Sequence, residues 1–172
     1  WRLPGHNGMA PDGMNFAIVA LLPDFEPTTP ENIGEFRKPG WNRKIFISFD
    51  YRSHMNTGKK LFDVFYDNRI RGDYVYRQYG FKRFVISWSK WDVFYSGTEE
   101  KPVFFVECRT VHVVDGHPAS PDCERDVLVG HDLYIHYSYS RTYLEHAQEI
   151  EQNLIAFLNR FRTNGPALEV IQ

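Results

Sequence analysis

Apolar and polar residues mostly alternate along this chain, with a period near two. A helical period holds only near the end. "MNFAIVALL" is a short apolar run stopped by Pro23 and predicts a buried strand. The segment from Pro23 to Asn42 is rich in proline and glycine and predicts a loop with one helical turn after Thr29-Pro30. "RKIFISFDYR" puts Ile45, Ile47 and Phe49 on one face and Phe46, Ser48 and Asp50 on the other. "LFDVFYDNR" fits either period. Leu61, Val64 and Phe65 would line a helix, Phe62, Val64 and Tyr66 a strand. Its aromatic and β-branched content and the preceding Asn56-Thr57-Gly58 turn favour the strand. "DYVYRQYGFKRFVISW" predicts one or two strands, "WDVFYSG" another, and "VFFVECRTVHVV" the strongest of all. "RDVLV" and "LYIHYSYS" flank Gly130-His131-Asp132 and read as a hairpin.

The terminal segment differs. Leu144, Ala147, Ile150, Leu154, Phe157, Leu158 and Phe161 form a stripe of helical period. Thr142 and Glu145 suit a capping box, and Asn164-Gly165-Pro166 a stop, so a helix over 142–163 is expected. The fold class is therefore α+β: a largely antiparallel sheet with a long C-terminal helix packed on it. With 172 residues and no linker or repeat, one domain is expected, with 1–15 as a loop or arm.

Charge narrows the partners. Twenty basic against 22 acidic side chains leave a net charge of −2, so there is no global attraction to nucleic acid or anionic membrane. The longest apolar run, Phe16 to Leu22, is too short to span a bilayer, so no stable membrane insertion is expected. The chain opens on Trp1, so an export signal removed by processing is compatible with it. With 14 Phe, 10 Tyr and 4 Trp, there are aromatic side chains to spare for a contact surface.

Catalytic and cofactor patterns are not completed. Ser87-Trp88-Ser89-Lys90 matches Ser-x-x-Lys but lies between strands rather than opening a helix. "YGFKRFVISW" echoes an RNA-binding strand with one residue too many, and the basic run from Arg69 to Arg83 suits a phosphate-binding face; such a run is more often a solvated strand face, and no nucleic-acid partner is expected. Arg71-Gly72-Asp73 is too short a match to weigh. His146 and Glu149 read as a solvated pair, and Asp63, Asp67 and Glu107 do not converge in the sequence. No cofactor is implied.

The two cysteines, Cys108 and Cys123, stand symmetrically about Asp115-Gly116. A tight turn there would pair them across two strands, whereas Pro118 and Pro121 favour a looser loop. Both geometries allow a disulfide, which points to an oxidising compartment. Two buried thiols are the plain alternative. A zinc site with His112, His117, His131 and His136 fits no standard spacing, so no metal is expected.

From Phe105 to Phe161, "FFVEC", then "PDC", then "LYIHYSYS" running into "YLEHAQEIEQNLIAFLNRF", the chain resembles small exported immunity proteins that accompany antibacterial effectors of bacterial type VI secretion systems. The resemblance implies a periplasmic, non-enzymatic protein whose partner is a cognate effector toxin, bound tightly and without chemistry. It transfers no contact residues. Candidates for the contact come from loop position: Asp115, His117 and Asp122 in the cysteine loop, then the acidic turn Glu99-Glu100, which could face a basic cleft. The competing reading is a periplasmic or secreted small-ligand-binding domain with an aromatic pocket built on Trp41, Trp88 or Trp91.

Overall fold

The computed structural model describes residues 16–40, 42–51, 74–85, 90–98, 102–110, 113–114, 117–118, 121–130, 133–161 and 166–171. The predicted segments at 1–15 and 61–69, the Ser87–Ser89 stretch and Arg71-Gly72-Asp73 lie outside the described residues, as do Trp41 and Trp88.

The chain is α+β, mostly β. The strands are β1 (Phe16–Leu21), β2 (Lys44–Tyr51), β3 (Tyr74–Gln78), β4 (Phe81–Val85), β5 (Trp91–Gly97), β6 (Pro102–Arg109), β7 (Val113–Val114), β8 (His117–Pro118), β9 (Asp122–Val129), β10 (Leu133–Ser140) and β11 (Val170–Ile171). A short helix, α1 (Ile33–Arg37), interrupts the proline-rich loop, and a 3-10 segment (Arg141–His146) runs into α2 (Ala147–Asn159). One antiparallel sheet has the order β1-β2-β10-β9-β6-β5-β4-β3, with β11 added beside β9. The stretch from Tyr74 onward resolves into two strands. Their turn, Tyr79-Gly80, has positive φ at both residues, the twist that suits a two-residue hairpin.

The expected alternation sets the faces. Ile45, Ile47 and Phe49 are buried, and so are Ile135, Tyr137 and Tyr139 of β10. The register aligns Ala20, Ile45, Tyr139, Cys123, Cys108 and Asp92 in one row across six strands. Leu144, Ala147, Ile150 and Leu154 join the same buried cluster, which places the helical segment on that face. The apolar stripe ends before its last member: Phe161 is 61% exposed and rests edge-on against Phe157 at 5.0 Å.

The helix starts differently from the expected capping box. Ser140, the last residue of β10, is the cap; its hydroxyl accepts from the Thr142 backbone N–H at 3.4 Å. The first six residues are 3-10, because the chain passes from strand to helix with no connecting loop. Thr142 and Glu145 therefore sit inside the helical segment.

The sheet has a seam. Strands β6 and β9 are eight residues long yet share only two register pairs, Glu107↔Glu124 and Cys108↔Cys123. Further along the same edge of β9, Leu128 and Val129 pair with β11 instead. Between those contacts Arg125 reaches across, its Nη1 donating to the Phe105 carbonyl. A side chain thus supplies one hydrogen bond where the ladder has opened.

Candidate partner-binding end of the sheet

The cysteine loop is a hairpin. Val113↔Pro118 and Val114↔His117 continue the register of Cys108↔Cys123, all symmetric about Asp115-Gly116. Of the two geometries open in the sequence, the structure adopts the tight return. Pro118 fits because its missing N–H falls in a two-stranded ribbon, off the main sheet. Cys108 and Cys123 are bonded, both fully buried, and lie at the foot of this hairpin.

A second tie sits beside the first. Asp122 is 3% exposed, and its Oδ1 lies 3.1 Å from Arg109 Nε. Arg109 also covers the Trp91 ring at 5.0 Å. Asp122 is thus a buried anchor of the hairpin foot and not a presented loop residue, because strand pairing begins at that position. His117 belongs to β8. Asp115, Glu99 and Glu100 lie outside the described residues.

At the hairpin's root the molecule carries an open cleft of about 470 Å³. Among the described residues its walls are Gln78 and Tyr79 at the β3–β4 turn, Arg83, Thr110, Pro121 and, from the start of the helical segment, Arg141, Thr142 and Leu144. Backbone bonds fix this corner: Arg141 N–H donates to Pro121 O at 2.8 Å, and Thr110 N–H to Lys90 O at 2.7 Å. Asp92 lies behind the wall, 0% exposed. Arg83 Nη2 and Arg141 Nη2 both reach its Oδ2, each at 2.7 Å. Arg141 Nη1 donates to the Arg109 carbonyl, which links the cleft to the hairpin foot.

The opposite face of the sheet carries a different row. Ser48, His136 and Asp126 are neighbours on three adjacent strands. His136 Nδ1 is 2.7 Å from Asp126 Oδ1, and that bond raises the imidazole pKa against the opposing effect of burial. Ser48 Oγ reaches the His136 carbonyl at 3.4 Å and not the imidazole. The three residue types of a serine hydrolase are thus aligned without the nucleophile–base bond that would activate the hydroxyl. Next to them the Glu124 carboxyl is pushed up by burial, helped by Asp122 and Asp126 and opposed by His136 and Arg109.

Beneath the helix a third polar group is fully committed. Arg125 Nε pairs with Glu151 Oε2, its Nη2 donates to Glu151 Oε1 at 3.0 Å, and its guanidinium lies 4.2 Å from the Phe104 ring centroid. Tyr137 donates to Glu151 Oε2 at 3.0 Å. Burial disfavours the charge on Arg125, but Glu151 outweighs it and the guanidinium stays firmly protonated. Burial drives the Tyr137 hydroxyl well above its ordinary pKa, so it remains a donor. This group joins helix to sheet.

Sequence reasoning missed Asp92, Arg83, Arg141, Arg125 and Glu151. A signal existed for Asp92, which occupies a core-facing position of a largely apolar strand. His146 and Glu149 form the expected exposed pair at 3.3 Å.

No family model and no curated protein matches this chain. Among solved structures the fold is similar to that of Smlt3025, an immunity protein of the Stenotrophomonas maltophilia type IV secretion system. The TM-score is 0.63 at 16% identity, over 88% of this chain and 83% of the other. The two proteins therefore share a fold that extends well beyond the third of the chain carrying the sequence resemblance.

Proposed function

We propose that this protein is an exported immunity protein that binds an antibacterial effector toxin of a bacterial secretion system and neutralises it without turning over a substrate. The observation that carries the reading is the fold shared with a secretion-system immunity protein over most of both chains. The disulfide supports an oxidising location, for which the periplasm is our reading. The sequence resemblance favours a type VI effector, whereas the structural neighbour serves a type IV system. A toxin gene next to this one, read for its secretion modules, distinguishes the two.

The docking end is the hairpin with its root. Two covalent and ionic ties hold the hairpin foot before any partner arrives, so less conformational entropy is lost on binding. The test is co-expression of the neighbouring effector in the periplasm, with and without this protein, together with calorimetry on the purified pair. Rescue of growth and a stable complex are expected. Killing that continues in the presence of this protein, with no complex at micromolar concentration, refutes the reading.

A further inference from the structure

We infer that Tyr79, at the tip of the β3–β4 turn, is an aromatic anchor that the fold holds out to enter a concave surface on the effector. This rests on the immunity reading and adds a second element, beside the cysteine hairpin, to the docking end.

The turn consists of Tyr79 and Gly80, with φ of +52 and +80. Positive φ at both places is the hairpin type that favours asparagine followed by glycine. Glycine fills the second place, but the first holds a tyrosine. A bulky side chain in the left-handed region carries a conformational cost that something else must offset. Among the described residues a second aromatic side chain, Phe25, has the same backbone sign, and there the offset is visible. Its φ is +58, its ring is 4% exposed, and it stacks on Phe157 at 5.6 Å. Tyr79 is 54% exposed, so burial returns far less at this position. The preceding residue carries a cost of its own. Gln78 Oε1 is buried and accepts no hydrogen bond among the described residues. Both residues line the cleft at the hairpin root. Two adjacent local costs on one rim mark a place where the sequence serves something besides the fold.

A bound effector offsets both. A tyrosine ring is large and amphipathic, moves about few torsions, and is enriched among the residues that dominate binding energy. It stands on the tip of a two-residue turn, a convex feature. The matching surface is therefore a pocket with apolar walls for the ring. The effector group that faces Gln78 is a hydrogen-bond donor.

The test uses the full chain and the purified neighbouring effector. Tyr79→Asn installs the residue that the turn favours. Its melting temperature should equal or exceed that of wild type, while affinity for the effector falls about tenfold or more. Tyr79→Phe keeps the ring and should bind within a few-fold of wild type. Gln78→Met removes the unbonded carbonyl at similar volume; it should weaken the complex without lowering the melting temperature. If Tyr79→Asn melts well below wild type, the fold itself holds the ring. If it binds as tightly as wild type, the ring is no anchor. Either result overturns the site and spares the immunity reading. Undiminished binding by Gln78→Met overturns the donor contact. A wild-type dimer that Tyr79→Asn dissolves reassigns the tip to a second copy of this chain and overturns the effector contact. Absence of any complex with wild type overturns the immunity reading and the anchor together.

Discussion

Two buried arginine clusters differ in what they join. Under the helix, Arg125 faces one carboxylate, Glu151, which also accepts from Tyr137, and its remaining reach goes to the Phe105 carbonyl. At the hairpin root, two guanidiniums divide one oxygen of Asp92 beside an open cleft. The first cluster ties the helix to the sheet. The second ties the start of the helical segment to two neighbouring strands beside an opening of the surface. Burial alone does not separate the two; what each joins does.

The sharpest way to break this contrast is to unbalance the matched cluster. Arg125→Ala leaves Glu151 buried without its cation and should cost about 3–5 kcal/mol, read by urea denaturation. Replacing both partners, Arg125→Met with Glu151→Leu, should recover most of that loss. If the single change costs no more than the double, the cluster is not matched as described.

Leu154→Ala, on the buried stripe beside it, should cost about 2–5 kcal/mol by leaving a cavity. Effector binding should be unchanged in the variant that still folds, because the helix face is consumed by the sheet. Lost binding at full thermal stability would move the recognition surface to the helix.

Reducing the Cys108–Cys123 bond, or changing both residues to Ser, should lower stability by about 3 kcal/mol in the chain-entropy picture. Hydrogen exchange should then rise first at the two-pair seam between β6 and β9. Uniform exchange across the sheet would show that the seam is no weaker than its neighbours.

The smallest effect lies on the opposite face of the sheet. His136 has its pKa raised by the bond to Asp126, so the folded state holds this proton more tightly than the unfolded chain. Its stabilisation is complete below the ordinary histidine value near 6.5 and is lost as pH rises through the raised folded value. Glu124, also raised, makes stability fall as pH rises above about 4.5. Melting temperature should therefore decline from mildly acid to neutral pH, and His136→Gln should flatten the upper part of that decline. An unchanged slope in the variant would assign the decline to other groups.

Much of the β architecture was legible locally. Alternation in β2 separated its two faces, and the symmetry of Cys108 and Cys123 about Asp115-Gly116 offered the hairpin register as one of two geometries, the one the structure adopts. These are short-range properties: a period of two and a tight turn are written in neighbouring residues. Helix onset was legible only approximately, because the cap at Ser140 depends on where β10 stops.

What the chain could not reveal by itself is which distant strands meet. The β2–β10 pairing joins segments far apart in sequence, and no local pattern encodes it. The cleft depends on long-range contacts of that kind: Asp92 is nine positions from Arg83 and 49 from Arg141. Read in sequence, Arg83 belongs to a basic strand and Asp92 is a lone acid in an apolar one. Only the folded sheet, with the helical segment closing its corner, places both arginines on one oxygen. Which side chains share a buried partner is a property of three-dimensional neighbours, which is why the tertiary structure decided the candidate site and the sequence determined the strands that carry it.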